Sequence, residues 1–181
     1  MLIIKILFAI VFLSAVLSVL FVFFYNQFQS AILRINEVEN NIDDLLRNKF
    51  ELLNRAGNII EASTDLKETA FDDLEKLRSR KLSSFDLDQK LGELLNEFYK
   101  FREICPELRE NESFIKINTS LEDIEEQIIA CRSYYNDNIA VYNKLTKSIP
   151  SNVVGIVINA HEKPFFDGKD MYDNIYNDFK L

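Results

Sequence analysis

Residues 6–25 constrain the fold more than any other feature, because these twenty positions read ILFAIVFLSAVLSVLFVFFY without a single charge. Only Ser14 and Ser18 interrupt the apolar side chains, and a serine hydroxyl can donate to a carbonyl of its own helix. At about 1.5 Å per residue, such a helix spans roughly 30 Å, the hydrocarbon thickness of a bilayer. The segment predicts a transmembrane helix preceded by a short flank at residues 1–5.

A cleaved signal peptide is the competing interpretation of this segment. Its apolar core would be about 7 to 15 residues long and would precede small residues, whereas bulky aromatic residues follow here, in FVFFYNQF. We therefore expect a retained, single-pass membrane anchor.

The charges that flank the anchor bear on its orientation. Lys5 and the amino terminus precede the anchor, and Arg34 is the only basic residue between the anchor and Arg47. This small difference in charge favours an N-terminus inside and a bundle outside.

The rest of the chain lacks the residues that separate short elements. Glycine occurs four times and proline three times in 181 residues, which favours a few long helices. About 150 residues outside the anchor suit one domain with a single core. We predict an all-α fold in which the transmembrane helix continues into an antiparallel four-helix bundle at residues 26–167. An acidic, aromatic tail at 168–181 has a composition that also suits disorder.

Apolar periodicity predicts the first two helices of this bundle. The first runs to about Ala62 and continues the anchor, because no Gly or Pro lies between Tyr25 and Ile35. Its stripe is Ile35, Val38, Ile42, Leu45, Lys49, Leu52, Ala56 and Ile59, widened by Leu46, Phe50 and Leu53. A second, shorter helix is predicted over residues 65–81.

Capping signals and a proline delimit the other two helices. The third is predicted to begin at an Asp86 N-cap with Gln89 three residues on, and to stop at Pro106. The fourth begins after an Asn111 cap and keeps a seven-residue repeat across about 30 residues. Its seam is Phe114, Ile117, Leu121, Ile124, Ile128, Cys131, Tyr135, Asn138, Tyr142 and Leu145.

Residues 104–150, which read ICPELRENESFIKINTSLEDIEEQIIACRSYYNDNIAVYNKLTKSIP, carry a family resemblance. The stretch resembles the long helix of LemA proteins and the approach to it, at Pro106, Asn111, Phe114, Leu121, Glu125, Ile128, Arg132, Tyr135, Asn136, Tyr142, Asn143 and Pro150. IDDLLRNKFELLNRA at 42–56 and HEKPFFD at 161–167 resemble other parts of that family. Asn54 replaces a usual proline and Lys49 a commoner Arg.

This resemblance implies a bacterial membrane protein with one spanning helix and a helical bundle. Some relatives are linked to membrane zinc metalloproteases of the HtpX kind, and one branch to building the magnetosome membrane. Both links suggest a membrane-anchored adaptor or scaffold with a membrane-protein partner, as in membrane quality control. The alternative is a self-assembling structural envelope protein, a homo-oligomer that shapes or organises the membrane.

No catalytic motif is present. The sequence has no HExxH, P-loop or GxGxxG, and its single histidine, His161, has no cysteine cluster near it. We therefore expect no enzymatic activity, no cofactor, no metal and no small-molecule substrate. A net charge of −8 argues against a nucleic-acid partner. Cys105 and Cys131 would lie too far apart in a helical hairpin for a disulfide.

Several polar residues are candidates for interaction or for fixing helix register. Asp43 is expected on the packed side of the first helix beside Ile42, paired with a base across the bundle or with Arg47. The fourth helix carries Tyr135, Asn138 and Tyr142 on its seam, and Asn136 and Asn143 lie beside the seam. This group forms either a polar layer that fixes helix register or a surface notch that recognises another subunit or membrane protein. The candidates in these helices are Asp43, Lys49, Tyr135, Asn136, Asn138, Tyr142 and Asn143.

The C-terminal apolar run offers two further candidates. Residues 153–158 are apolar without a clear helical period, and Phe165 and Phe166 follow them. The run either folds back onto the bundle or forms a docking strip, and a contiguous exposed strip is a liability in a protein without a partner.

Overall fold

The computed structural model describes residues 1–63, Leu74 and residues 83–166. Within them the chain forms five helices and no strand: α1 (Leu2–Ser63), α2 (Ser84–Ile104), α3 (Pro106–Glu110), α4 (Glu112–Lys147) and α5 (Ser151–Val157). The all-α prediction is confirmed. The predicted helix at 65–81 lies outside the described residues except for Leu74, which is helical and buried. The tail at 168–181 lies outside them as well.

Helix α1 contains the apolar segment and the first bundle helix without a break, as predicted from the absence of Gly and Pro. Ser14 Oγ donates to the carbonyl of Val11 at 2.8 Å, and Ser18 Oγ donates to that of Ser14 at 2.9 Å. The most apolar 18-residue window has a mean hydropathy of 3.0, and none of it is buried. By length and composition, α1 is therefore the one described helix that could cross a membrane.

The buried stripe of α1 agrees with the prediction at Ile35, Val38, Ile42, Lys49 and Ala56, which are all buried. Leu46 and Leu53, which were predicted to widen the stripe, are fully buried, as is Ile60. The predicted Leu45, Leu52 and Ile59, each one residue earlier, are only half-buried. The centre of the stripe therefore lies one residue further along at these three positions.

Helix α2 begins one turn earlier than predicted. Ser83, not Asp86, is the N-cap, because the backbone N–H of Asp86 donates to Ser83 Oγ at 3.1 Å. The Ser83 hydroxyl in turn donates to Asp86 Oδ2 at 2.7 Å. Asp86 therefore occupies the third helical position, where an acid favours the helix dipole. The earlier start also places Phe85 in the core.

The other helix boundaries agree with the predictions. Helix α2 ends at Ile104, and Pro106 opens the short helix α3. Asn111 caps α4, because its Oδ1 accepts from the backbone N–H groups of Ser113 and Phe114 at 3.0 and 3.1 Å. Eight of the ten predicted seam residues of α4 are buried: Phe114, Ile117, Leu121, Ile124, Ile128, Tyr135, Asn138 and Tyr142. The other two, Cys131 and Leu145, are half-buried.

The chain divides into two compact units. The first unit comprises Met1–Glu37 and Tyr135–Phe165, and the second comprises Val38–Tyr134 and Phe166–Leu181. In the first unit, the rings of Phe28 and Tyr142 meet edge to face with centroids 5.8 Å apart. In the second, Phe98 of α2 stacks on Phe114 of α4 with centroids 4.6 Å apart. Each unit thus has an aromatic contact between helices in its core.

We expect truncation of Phe98 to be among the most destabilising changes in the second unit. Phe98 is fully buried, so Phe98→Ala should lower the free energy of unfolding by about 3–5 kcal/mol. Phe101→Ala on the same helix is the matched control, because Phe101 is only half-buried. Urea unfolding of the full chain in detergent, followed by circular dichroism, measures both. Equal losses in the two variants would contradict the packing described here.

Candidate functional site

Four charged side chains from three helices meet in the second unit. Lys49 of α1 is 1% exposed, and its Nζ contacts Glu125 Oε1 of α4 and lies 3.8 Å from Asp88 Oδ1 of α2. Arg132 Nη2, on α4, contacts Asp88 Oδ2. We call Lys49, Asp88, Glu125 and Arg132 the Lys49 cluster. Two bases face two acids, so the cluster carries no net charge when all four are ionised.

Helix periodicity places these charges together. Lys49 stands at a buried position of α1, and Asp88 lies between Phe85 and Leu91 on the buried side of α2. Glu125 and Arg132 are seven residues apart on α4 and therefore lie on one side of that helix. Sequence reasoning identified Lys49 but missed Asp88. The sequence did contain a signal for this pair, because Asp88 stands at a core position of α2 and Lys49 stands at a core position of α1.

Burial dominates the electrostatics of the Lys49 cluster. Desolvation lowers the pKa of Lys49, and the hydrogen bond and charge of Glu125 offset this effect only in part. Burial also lowers the pKa of Arg132. Desolvating charges costs free energy that pairing repays incompletely, whereas removing one partner leaves an uncompensated charge. The cluster is therefore better suited to fixing the register of three helices than to raising stability.

Phe166 covers one side of the Lys49 cluster. The Arg132 guanidinium carbon lies 5.3 Å from the centroid of the Phe166 ring, a cation–π contact. The same ring meets Phe85 edge to face at 5.9 Å. Arg132 Nε has no hydrogen-bond partner among the residues that the structure describes. Phe166 thus has a packing role in the second unit, whereas Phe165 is 36% exposed.

The structure corrects the expectation for Asp43. This side chain is exposed, not on the packed side of α1, and its Oδ1 accepts from Ser84 Oγ of α2. Ile42 is buried, but the next residue of a helix lies about 100° further round the axis. Asp43 therefore joins α1 to the first turn of α2 through a hydroxyl.

The tyrosines and asparagines of α4 lie in the first unit and differ in their surroundings. Tyr135, Asn138 and Tyr142 are buried on the predicted seam, and burial raises the pKa of Tyr142. Asn136 and Asn143 flank the seam and are half-buried. Their roles as a register layer or a recognition notch remain predictions.

Asn143 holds a returning segment of the chain. Its Nδ2 donates to the carbonyl of Lys163 at 2.8 Å, and the N–H of Lys163 donates to Asn143 Oδ1 at 2.8 Å. This two-bond pairing fastens the segment after α5 to α4. Exposed Lys147 and Glu162 add an ion pair at 2.9 Å.

The apolar run after Pro150 forms a short helix, which corrects the expectation that it has no helical period. Val154 and Gly155 are buried against the first unit, so the run folds back in part. Val153, Ile156 and Val157 stay exposed. Folding back is therefore confirmed for part of the run, and a docking role of the exposed residues stays a prediction.

A groove between α1 and α4 is the candidate docking site in the first unit. It has a volume of about 390 Å³ and is lined by Phe23, Asn26, Gln27, Ser30, Ala31, Arg34, Asn138, Val141 and Leu145. We call it the juxtamembrane groove, because it begins at Phe23, inside the apolar segment, and ends at Arg34. At about 1.5 Å per residue, the groove extends roughly 13 Å beyond Tyr25. It offers amides, a hydroxyl and a guanidinium beside apolar side chains.

A second concavity, of about 530 Å³, lies in the second unit, where Arg102 and Arg109 are among its lining residues. Its polar groups are largely committed to the fold. Arg109 donates to the carbonyls of Arg102 and Glu103 at the end of α2, at 2.8 and 2.6 Å. Arg102 Nη1 donates to Asn118 Oδ1 at 3.0 Å. The Arg109 contacts satisfy helix-terminal carbonyls and the Arg102 contact joins α2 to α4, so both guanidinium groups are already bound by other residues of the chain.

The described residues contain no group of three or more His, Cys, Asp or Glu side chains that could hold a metal ion. Cys105 and Cys131 are both free thiols in the structure.

Comparison with protein families gave one match: the model described as LemA family covers residues 38–176. Neither the search of curated proteins nor the search of solved structures gave a match. The family match extends over most of the chain after the apolar segment.

We expect Lys49→Arg to remove a pH dependence of stability. Burial lowers the pKa of Lys49 in the folded protein, so the unfolded chain holds this proton up to a higher pH. The free energy of unfolding therefore rises with pH between the lowered pKa of the folded state and the ordinary value of 10.5. The gain is at most about 1.4 kcal/mol per pH unit in that window. Arg stays charged throughout. Wild type should therefore gain stability over Lys49→Arg as the pH approaches 10.5.

Urea unfolding of both proteins over a series of alkaline pH values measures this difference. Tyr99 and Tyr142, whose pKa burial raises, are common to both proteins, so their effects cancel to first order. Lys90→Arg is the control, because Lys90 is exposed. Parallel curves for wild type and Lys49→Arg would show that Lys49 is not desolvated.

Proposed function

The chain belongs to the LemA family, and from this membership we propose that it is a membrane-anchored, non-catalytic adaptor or scaffold for another membrane protein. The apolar part of α1 supports the anchor, because it is long enough for the bilayer and none of its most apolar window is buried by the rest of the chain. We propose that this helix is retained as a single span. The proposed orientation, with the N-terminus inside and the bundle outside, rests on the charges that flank the span.

The position of the juxtamembrane groove is the observation that carries this proposal. Its lower end, at Phe23, lies within the apolar segment, and its upper end, at Arg34, lies roughly 13 Å beyond Tyr25. A second membrane protein that leaves the bilayer beside α1 would meet the groove at this height. The groove therefore fits a juxtamembrane segment better than a freely diffusing ligand.

The lining of the juxtamembrane groove suits such a segment. The exposed amides of Asn26 and Gln27 offer donors and acceptors to side chains of an approaching helix, and Val141, 52% exposed, offers apolar contact. Polar side chains between helices stabilise membrane-protein contacts modestly, by about 1 kcal/mol each. Several such contacts would give a specific partner with moderate affinity.

A membrane zinc metalloprotease of the HtpX kind is the proposed partner class, and it rests on the family resemblance alone. In that arrangement the protease would supply the metal and the chemistry, and this chain would supply the contact in membrane quality control. The proposal requires no cofactor and no small-molecule substrate of this chain.

Self-assembly is the second candidate, and the exposed apolar residues of the first unit favour it. Leu33 is 67% exposed and lies on α1 between the groove-lining residues Ala31 and Arg34, so that a second copy could cover Leu33 and the groove together. A protein of this kind would shape or organise the membrane as a homo-oligomer. The two candidates differ in what occupies the juxtamembrane groove.

A photo-crosslinking amino acid at Val141 tests the proposal. In native membranes, we expect this position to crosslink to one other membrane protein, identified by mass spectrometry. The matched control is the same amino acid at Ile129, which is also on α4 and is 61% exposed but does not line the groove. The partner adduct should be at least tenfold more abundant from position 141.

The other outcomes decide between the candidates. Crosslinks from position 141 to copies of this chain alone would favour self-assembly and overturn the adaptor proposal. Crosslinks to lipid alone, or equal partner yields from both positions, would show that the groove is not a docking site.

A further inference from the structure

Helix α5 and the residue before Pro150 present an exposed apolar surface in the first unit. Ile149 is 85% exposed, Val153 59%, Ile156 79% and Val157 66%. We call these four residues the α5 apolar face. Their spacing of four, three and one places the three helical members on one side of α5. In water, such a contiguous cluster of large apolar side chains is a liability.

The buried side of α5 fixes where this face lies along α1. A Cβ atom added to Gly155 would be 3.3 Å from Phe28 Cζ, so α5 packs directly on Phe28. Phe28 is three residues beyond Tyr25, which is about 4.5 Å along the helix axis. Helix α5 therefore contacts α1 within one turn of the end of the apolar segment.

The end of α4 reaches still closer to that segment. Tyr142 packs on Phe28, and α4 continues to Lys147, five residues or about 7 Å further. Leu145, three residues beyond Tyr142, lines the same groove as Phe23, which is five residues before Phe28. The continuation of α4 therefore runs towards the apolar segment. The turn that carries Ile149 thus lies beside the last residues of the apolar segment.

We propose that the α5 apolar face is immersed in the interfacial region of the bilayer that α1 spans, as a second and monotopic membrane contact. The proposal rests on the proposed membrane anchor. Helices that lie in the interface bury their apolar side about 5–10 Å into the boundary between headgroups and acyl chains. The lipid surface is the favoured occupant because the anchor holds it beside the face at all times, whereas a soluble partner must be recruited.

Charge at the edge of the α5 apolar face fits the same occupant. Lys144 lies in the last turn of α4 and is exposed, whereas Lys147 of the same turn is paired with Glu162. Lysine side chains near a bilayer extend their ammonium groups to the headgroups while their stems stay in apolar surroundings.

A second membrane contact, away from the axis of α1, would restrict how the first unit tilts on the membrane surface. It would also hold the juxtamembrane groove at a constant height above the bilayer.

Spin-label accessibility in lipid vesicles tests this inference on the full chain. Cys105→Ser and Cys131→Ser remove the native thiols, and single labels are placed with Ile156→Cys, Phe12→Cys or Ile129→Cys. We expect the Ile156 label to show a several-fold higher ratio of oxygen to nickel-complex accessibility than the Ile129 label. The Phe12 label reports the anchor, and the Ile129 label, on an exposed position of α4 in the second unit, reports water.

Each other outcome identifies which proposal fails. A membrane-embedded Phe12 label with a water-exposed Ile156 label would overturn this inference and leave the anchor intact. Water exposure of both labels would overturn the anchor as well. Spin–spin broadening at position 156 that disappears on dilution with unlabelled protein would show that a second copy, not lipid, covers the face.

Discussion

The change of environment along one unbroken helix is the constraint on which the structure depends. Helix α1 has no buried residue before Phe28, and from there a single stripe is buried. Uniformly apolar helices suit lipid and one-sided helices suit a protein core. Phe28 is thus the first buried residue of α1, and both Tyr142 of α4 and Gly155 of α5 lie against it.

A different kind of constraint operates in the second unit. Apolar stripes tolerate small slips between helices, whereas a buried lysine requires its acids at defined positions. Lys49 meets acids from α2 and α4, and Arg132 shares Asp88 with it. Removal of any one of these four side chains would leave an unpaired charge in a buried site, which lowers the stability of the folded state. The Lys49 cluster therefore selects one register at a cost in desolvation.

Much of the fold could be predicted from the sequence, because long apolar repeats and caps are local signals. Examples are the seam of α4, the Asn111 cap and the continuation of the apolar segment into the bundle part of α1. Three positions of the α1 stripe and Asp43 were misplaced by one residue, and neighbouring residues of a helix point about 100° apart. Asp88 and the pairing of Asn143 with Lys163 depend on partners distant in sequence, which no local pattern reveals.

The most direct test of the adaptor account is the composition of the complex purified from native membranes in mild detergent. Ser30→Trp fills the juxtamembrane groove at an exposed residue, and Asn40→Trp, also exposed on α1 but outside the groove, is its control. The account predicts a second membrane protein in fixed ratio with the wild type and the control, and its loss with Ser30→Trp. A wild-type protein that purifies alone, or a partner retained by Ser30→Trp, would contradict it.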